Sequence, residues 1–145
     1  MPYQSVSIAQ FLAAVGDRTP APASGSALAV AAALAAALVE LTARFSDDEA
    51  ALGDALRQRD RLLALADEDA RAYADFMRTK SDAARERTIA VPQEIADRAA
   101  EVADLARRLE REGNPRLVGD AAAARLLADA AGKGAARLVE LNRAA

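Results

Sequence analysis

Apolar side chains fill one stretch of the chain without interruption, from Ala27 to Val39, where no charged or polar residue occurs. A helix that is apolar on every face is buried on all sides, either at the centre of a bundle or in a membrane. This run of 13 residues is shorter than the roughly 20 that a spanning helix needs, and the charged Glu40 and Arg44 follow it. We therefore predict the central, fully buried helix of a soluble helical protein, ending near Phe45.

The segment before this helix has the pattern of a short helix followed by a loop. Ser7 and Gln10 are spaced as a capping box, which predicts a helix over residues 8–15 that Gly16 stops. The inward face of this helix should comprise Ile8, Phe11, Leu12 and Val15. Residues 17–25 contain two prolines and a glycine, which predicts a loop whose Ser-Gly-Ser end caps the central helix.

A second capping-box spacing, at Ser46–Glu49, predicts a long helix from Asp47 to about Met77. The inward positions of this helix recur at heptad spacing. They are Leu62, Leu65, Asp69, Ala72 and Phe76. Asp69 is the one charged member of this apolar stripe, so it is the most informative exception to the pattern.

The remaining sequence predicts two more helices. Residues 78–90 are polar and weakly periodic, which predicts a loop or a frayed helix. Pro92 then fits the first turn of a fourth helix, where its missing N–H costs nothing, and this helix ends at the Gly113–Pro115 turn. Asp120 is placed as the N-cap of a fifth helix over residues 121–141.

Alanine accounts for 41 of the 145 residues, while histidine, cysteine and tryptophan are absent. This composition favours helix by intrinsic propensity, and the length fits one domain spanning residues 1–145. We therefore predict an all-α fold, an Ala-rich bundle of about five helices. Because alanine contributes little apolar area per residue, we also predict that a second copy completes the core in a homodimer.

The net charge of −3 is spread over interspersed acidic and basic residues, so no basic surface for nucleic acid is predicted. Without cysteine there is no disulfide framework and no thiol nucleophile, and without histidine a zinc site would need carboxylates alone. The N-terminus lacks the pattern of a signal peptide. We therefore expect a cytoplasmic protein with no membrane partner.

Short motifs occur in a fixed order along most of the chain. They are Pro20–Ser26, Leu41–Thr42, Asp69–Tyr73, Val91–Pro92, Gly113–Asn114, Gly119–Ala121 and Asn142. This set resembles the cyclodeaminase/cyclohydrolase family, which includes the cyclodeaminase half of formiminotransferase-cyclodeaminase and stand-alone methenyltetrahydrofolate cyclohydrolases. In that family a P-x-P-G-G-G-S turn opens an Ala-rich helix that ends in Leu-Thr, and D-x-x-A-Y, V-P and G-N…S-D-A motifs follow.

The chain departs from the family pattern at several points. Ala23-Ser24-Gly25 stands where the family has three glycines, so two positions have gained a Cβ atom, which weakens any function that needs positive φ or close approach of a ligand. Gly119 replaces the serine of the S-D-A motif. The segment between Tyr73 and Val91 is short, and typical members continue through a further helix after Asn142.

The resemblance implies ring closure or ring opening at the one-carbon bridge of tetrahydrofolate. Cyclodeaminases expel ammonia from 5-formiminotetrahydrofolate to give 5,10-methenyltetrahydrofolate, and cyclohydrolases add water to that product to give 10-formyltetrahydrofolate. A reduced folate is therefore the expected ligand, and no cofactor beyond tetrahydrofolate itself is expected. In a chain without His or Cys, carboxylates are left for acid–base chemistry.

Asp69 is the first catalytic candidate, because a carboxyl group on an apolar helix face has a raised pKa unless a cation neutralises it. Asp120 is the second. The candidates for substrate binding are Ser24, Gly25, Ser26, Tyr73 and Asn114. Every candidate also has an ordinary structural interpretation, as the buried partner of an arginine, a helix cap, a core tyrosine or a turn residue.

Two alternatives to a folate enzyme stay open on the sequence. One is a non-catalytic member that keeps the family core as a homodimeric binding or scaffold module, which the departures from the pattern favour. The other is hydrolysis of an unrelated amidine or small amide. A carboxyl group of Asp69 closed into an arginine pair beside no cavity would contradict the catalytic hypothesis. Whether a reduced folate binds at all tests the non-catalytic module, and a ligand screen that finds a non-folate binder would favour the hydrolase.

Overall fold

The computed structural model describes all 145 residues and contains helices and no strand. The five α-helices are α1 (Ile8–Gly16), α2 (Ser24–Phe45), α3 (Glu49–Thr79), α4 (Asp82–Glu112) and α5 (Val118–Ala144). Two short 3-10 turns, Tyr3–Ser5 and Pro115–Leu117, precede α1 and α5. The prediction of an all-α, Ala-rich bundle of about five helices is confirmed.

Helix α2 lies at the centre of the bundle and packs against α3, α4 and α5. Its buried positions are mostly alanine, and larger buried side chains come from its neighbours, among them Leu62, Leu65 and Ile95. Alanine lets helix axes approach near the lower end of the usual range of about 8–10 Å. The helices are therefore in close contact through alanine side chains, and few large side chains lie between them.

The prediction that α2 is buried on all sides is wrong for the single chain. Leu34, Leu41 and Phe45 are 57%, 37% and 59% exposed and lie on one stripe of the helix, because their spacing follows the helical repeat. Three neighbouring helices cover only part of the circumference of α2. By length and composition alone α2 could cross a membrane, and half of its most apolar window is buried inside the bundle.

Helix α1 begins with the predicted capping box. The Oγ of Ser7 accepts from the Gln10 N–H at 3.0 Å, and Gln10 Oε1 accepts from the Ser7 N–H at 2.8 Å. Phe11 is buried in an edge-to-face contact with Tyr3. Ile8 and Leu12 are exposed, so the predicted inward face of this helix is only partly correct.

Two predicted helix starts are wrong by a few residues. Asp48, and not Ser46, is the N-cap of α3, where its side chain accepts from the Ala51 N–H. Helix α5 begins at Val118, so Asp120 lies in its first turn and is not its N-cap. The 3-10 turn before α5 continues directly into the helix. Asp120 is therefore already a helical residue and cannot be the extended residue that caps the helix.

The predicted loop at residues 78–90 is largely the first part of α4. Ser81 caps this helix by accepting from the Ala84 N–H at 3.1 Å, and Pro92 lies inside the helix and not in its first turn. A proline in that position cannot donate to the carbonyl four residues earlier, which belongs to Thr88. Asn142 of α5 supplies a donor instead, with Nδ2 at 2.7 Å from the Thr88 oxygen.

Candidate active site

A cleft of about 270 Å³ opens at the end of the bundle where α2 begins. The loop before α2 and the helices α2 to α5 all contribute to its lining. Its polar groups come from Ser24, Asp69, Tyr73, Thr88 and Asn142. The cleft therefore brings together residues that are far apart in the sequence, including the loop over residues 20–23 and the start of α2.

Asp69 presents its carboxyl group directly beside Gly25, so that any Cβ atom at position 25 would overlap the carboxyl oxygens. No ion pair and no hydrogen bond to Asp69 occurs in the structure. Burial raises the pKa of Asp69 to about 6. The carboxyl group is thus unpaired and adjoins a cavity, which is the arrangement that the catalytic hypothesis requires.

The N-terminus of α2 lies beside this carboxyl group. Ala23 occupies the N-cap and provides no side-chain cap, and the first amide bonded within the helix is that of Ala27, which donates to Ala23. The N–H groups of residues 24–26 therefore have no partner within the helix. The positive end of the helix favours an anion nearby, so it opposes the effect of burial and helps the ionised form of Asp69 to persist near neutral pH.

The two serines at the start of α2 have different surroundings. Ser24 is exposed and lines the cleft. The hydroxyl of Ser26 is buried and donates to the Ala66 carbonyl of α3 at 2.7 Å. Ser26 therefore joins α2 to α3, and its side chain is not available to a ligand in the cleft.

Tyr73 lies one helical turn after Asp69 and also lines the cleft. Its side chain is 40% exposed, which differs from the core tyrosine of the ordinary structural interpretation. The exposed ring offers a flat apolar surface to a ligand, and its hydroxyl is free for a polar contact.

Asn114 and Asp120 lie away from the cleft. Asn114 is at the other end of α2, where its backbone N–H donates to the Ser46 hydroxyl and its side chain donates to the Phe45 carbonyl, both at 2.9 Å. These bonds hold the α4–α5 turn against the end of α2. At a rise of about 1.5 Å per residue, Asp120 is about 33 Å along α5 from Asn142. Within one chain, neither residue can act together with Asp69.

Thr88, Pro92 and Asn142 line the cleft, although none of them was among the predicted site residues. In the sequence, Asn142 belongs only to the motifs of the family resemblance, and Thr88 lies in the segment predicted as a loop or a frayed helix. The available signal was the proline in a strongly helical sequence, because it frees a carbonyl one turn earlier that needs a donor.

Other depressions of the surface lack these features. One depression of about 500 Å³, between α3 and α4, is lined mainly by charged and polar side chains such as Asp54, Glu101 and Arg108, and includes no predicted site residue. No group of three or more Asp or Glu side chains is arranged to hold a metal ion. The smaller cleft at Asp69 is therefore the stronger candidate, because it combines an unpaired carboxyl group, free helix N–H groups and an exposed aromatic ring.

Comparisons with known proteins agree with the resemblance of the motifs. The fold is similar to the crystal structure of formiminotetrahydrofolate cyclodeaminase from Thermotoga maritima, with a TM-score of 0.91 and 24% sequence identity over 96% of this chain and 79% of that chain. Comparison with curated protein sequences finds no match. Residues 7–145 match the sequence profile of formiminotransferase-cyclodeaminase. Because this match spans nearly the whole chain, the protein belongs to the formiminotransferase-cyclodeaminase family.

Proposed function

We propose that the protein is an enzyme of folate one-carbon metabolism that closes or opens the one-carbon bridge of tetrahydrofolate in the Asp69 cleft. Cyclodeamination of 5-formiminotetrahydrofolate is the leading reaction, and hydration of 5,10-methenyltetrahydrofolate is its close relative. The observation that carries the proposal is the unpaired carboxyl group of Asp69, beside Gly25 and open to the cleft. Membership of the family supports the choice of substrate.

Asp69 would act as the proton carrier of the reaction. In cyclodeamination, the formimino group enters protonated, nitrogen 10 attacks its carbon and loses its own proton, and a tetrahedral carbon that carries an amino group forms between the nitrogens. The carboxylate accepts that proton and delivers it to the departing nitrogen, and ammonia leaves as its bond to carbon breaks. In the hydration reaction, the carboxylate accepts a proton from the attacking water and returns it to nitrogen 5 as the bond between that nitrogen and the carbon breaks, and the remaining hydroxyl proton is released to solvent as the formyl C=O forms. A pKa of about 6 suits a group that must both accept and donate near neutral pH.

The same carboxylate would stabilise the cationic bridge of the product. The methenyl group and the protonated formimino group both carry positive charge spread over nitrogens, and a fixed negative charge in a partly dehydrated cleft favours them. Tyr73 offers its ring to the flat pterin, and Ser24 and the Gly25 N–H offer polar contacts. The cleft volume of about 270 Å³ is below the range of about 300–1,000 Å³ typical of drug-sized ligands. We therefore expect the reacting end of the folate to enter while the glutamate end stays outside.

We further propose that the protein works as a cytoplasmic homodimer without a metal or redox cofactor. The exposed stripe of Leu34, Leu41 and Phe45 on α2 supports the dimer, because isolated apolar residues are common on surfaces but an aligned row on the central helix is not. A second copy of α2 seated on this stripe would bury it on both chains.

The test follows the absorbance of 5,10-methenyltetrahydrofolate in the presence of the enzyme. An increase measures its formation from the formimino substrate, and a decrease measures its hydration. Wild type is compared with Asp69→Asn and with Asp60→Asn, an exposed aspartate on the same helix. The proposal expects activity in wild type and in Asp60→Asn, and a loss of about 100-fold or more in Asp69→Asn. Activity that persists in Asp69→Asn would contradict the role of Asp69. Binding of a reduced folate without turnover would favour the non-catalytic module, and the absence of both would contradict the folate proposal.

A further inference from the structure

Asn142 occupies a position in the cleft that the proposed reaction does not use. It lies in the last turns of α5, and its Nδ2 donates to the Thr88 carbonyl at 2.7 Å. That carbonyl lacks its usual helix donor, since the residue four positions later is Pro92. The interruption of the α4 hydrogen-bond ladder thus provides a specific acceptor for the amide of Asn142.

This bond fixes the orientation of the amide group. A carbonyl oxygen can only accept, so the nitrogen of the Asn142 amide must face Thr88 and the oxygen must face away from it. Asn142 Oδ1 accepts no hydrogen bond within the chain and is not a buried unpaired atom. Because Asn142 lines the cleft, its oxygen is left as a free acceptor with a defined orientation.

We propose that Asn142 is a recognition residue whose Oδ1 accepts a hydrogen bond from an N–H group of the ligand, and that Pro92 and Thr88 are positioning residues that hold the amide in this orientation. The proposal rests on the proposed function for the identity of the ligand. The N–H donors of a formiminofolate fall into two groups, those of the reduced pterin and nitrogen 10, and that of the formimino group itself.

The two sources are distinguished by the probe. 5-Formyltetrahydrofolate has the N–H groups of the pterin and of nitrogen 10 but no formimino N–H, so binding of this molecule isolates recognition of the former. If Asn142→Leu weakens binding of 5-formyltetrahydrofolate, the donor lies on the pterin or on nitrogen 10. If it leaves that affinity unchanged and raises only the KM for 5-formiminotetrahydrofolate, the donor is the formimino group.

Asn142→Leu has nearly the same size as the wild-type side chain and removes both amide functions. We expect a loss of affinity or a rise in KM of roughly five- to tenfold, as for the loss of one hydrogen bond between neutral groups. Asn114→Leu is the matched control, because it removes the other asparagine of the chain, which has a structural role far from the cleft. The control should lower the melting temperature and leave the affinity of the folded protein unchanged.

Pro92→Ala tests the positioning role without changing a polar group of the cleft. The new N–H at residue 92 can donate to the Thr88 carbonyl within the helix, so it competes with Asn142 and lets the amide rotate. We expect a loss of affinity in the same direction as for Asn142→Leu. In the double variant Pro92→Ala/Asn142→Leu the two losses should not add, because both act through one amide group.

Each outcome decides between the proposals. Folate binding by wild type that is unchanged in Asn142→Leu for both ligands would overturn the recognition role and leave the proposed function intact. Additive losses in the double variant would overturn the positioning role of Pro92. A wild-type protein that binds neither folate would overturn the proposed function and, with it, the assignment of Asn142.

Discussion

The carboxyl group of Asp69 lies against the backbone of Gly25 at a distance that leaves no room for a side chain at position 25. The glycine is not required for its backbone conformation, because no glycine in the chain has a positive φ. Ala23 and Ser24, which also stand where the family pattern has glycine, are exposed and accommodate their Cβ atoms. The one glycine of the triplet that is retained is therefore the one on which the carboxyl group packs.

Gly25→Ala is expected to displace the Asp69 side chain and to reduce activity about 100-fold, since a shift of about 1 Å in a reacting group has effects of this size. Gly119→Ala is the matched control, because a Cβ atom there meets nothing within 4 Å. The control should keep its activity and change the free energy of unfolding by no more than about 0.5 kcal/mol, because Gly119 is an exposed residue in the first turn of α5. Steady-state rates and thermal melts measure both effects, and a fully active Gly25→Ala variant would contradict the close contact.

Asp69→Asn is expected to increase the free energy of unfolding at pH 7. The folded protein raises the pKa of Asp69 from 3.8 to about 6, so the folded state holds this proton more tightly than the unfolded chain does. The stabilising effect of the proton is fully present below pH 4 and is lost as the pH rises through 6. At about 1.36 kcal/mol per pKa unit, the cost of the ionised group at pH 7 is at most about 3 kcal/mol.

This cost is measured by urea unfolding of wild type and Asp69→Asn at several pH values. The difference between the two proteins should be largest above pH 6 and should shrink towards pH 4. Asp60→Asn, which is exposed on the same helix, should show no such trend. A difference that is independent of pH would show that folding does not raise the pKa of Asp69.

The dependence of kcat/KM on pH should report the same group. If Asp69 accepts a proton in the rate-limiting step, kcat/KM for cyclodeamination falls as the pH drops below about 6, because the protonated carboxyl group cannot act as a base. A profile measured from pH 5 to 8 tests this. A flat profile across pH 6, with substrate ionisation accounted for, would remove Asp69 from the proton-transfer step.

Leu34→Glu is expected to convert the proposed dimer to a monomer, since it would place a charge on the exposed stripe of α2. The side chain is 57% exposed in the single chain, so the substitution should leave the fold of the monomer intact. Leu126→Glu on α5 is the control, because that leucine is 59% exposed and does not belong to the stripe. Light scattering after gel filtration gives the mass, and a wild-type protein that is monomeric at micromolar concentration would contradict the dimer.

The spacing of apolar and capping residues along the sequence determines most of the fold. Capping by Ser7, the apolar run of α2 and the heptad stripe of α3 are local patterns, and local hydrogen bonds and burial enforce them in the structure. The stripe also singled out Asp69, because a charge on an apolar helix face is conspicuous without any knowledge of its neighbours. The prediction about Pro92 is wrong because proline usually marks a helix start, and the donor that compensates for it lies 50 residues later in the sequence.

The class of fold, the central helix and the importance of the Asp69 carboxyl group can all be predicted from the residue pattern. Which candidates lie at the same end of the bundle depends on how the helices pack. Ser24, Gly25, Asp69 and Tyr73 meet where α2 begins, whereas Asn114 lies where it ends, and no periodicity within a single helix can report on that. Long antiparallel helices carry neighbouring motifs to opposite ends, so the membership of the site depends on contacts between helices.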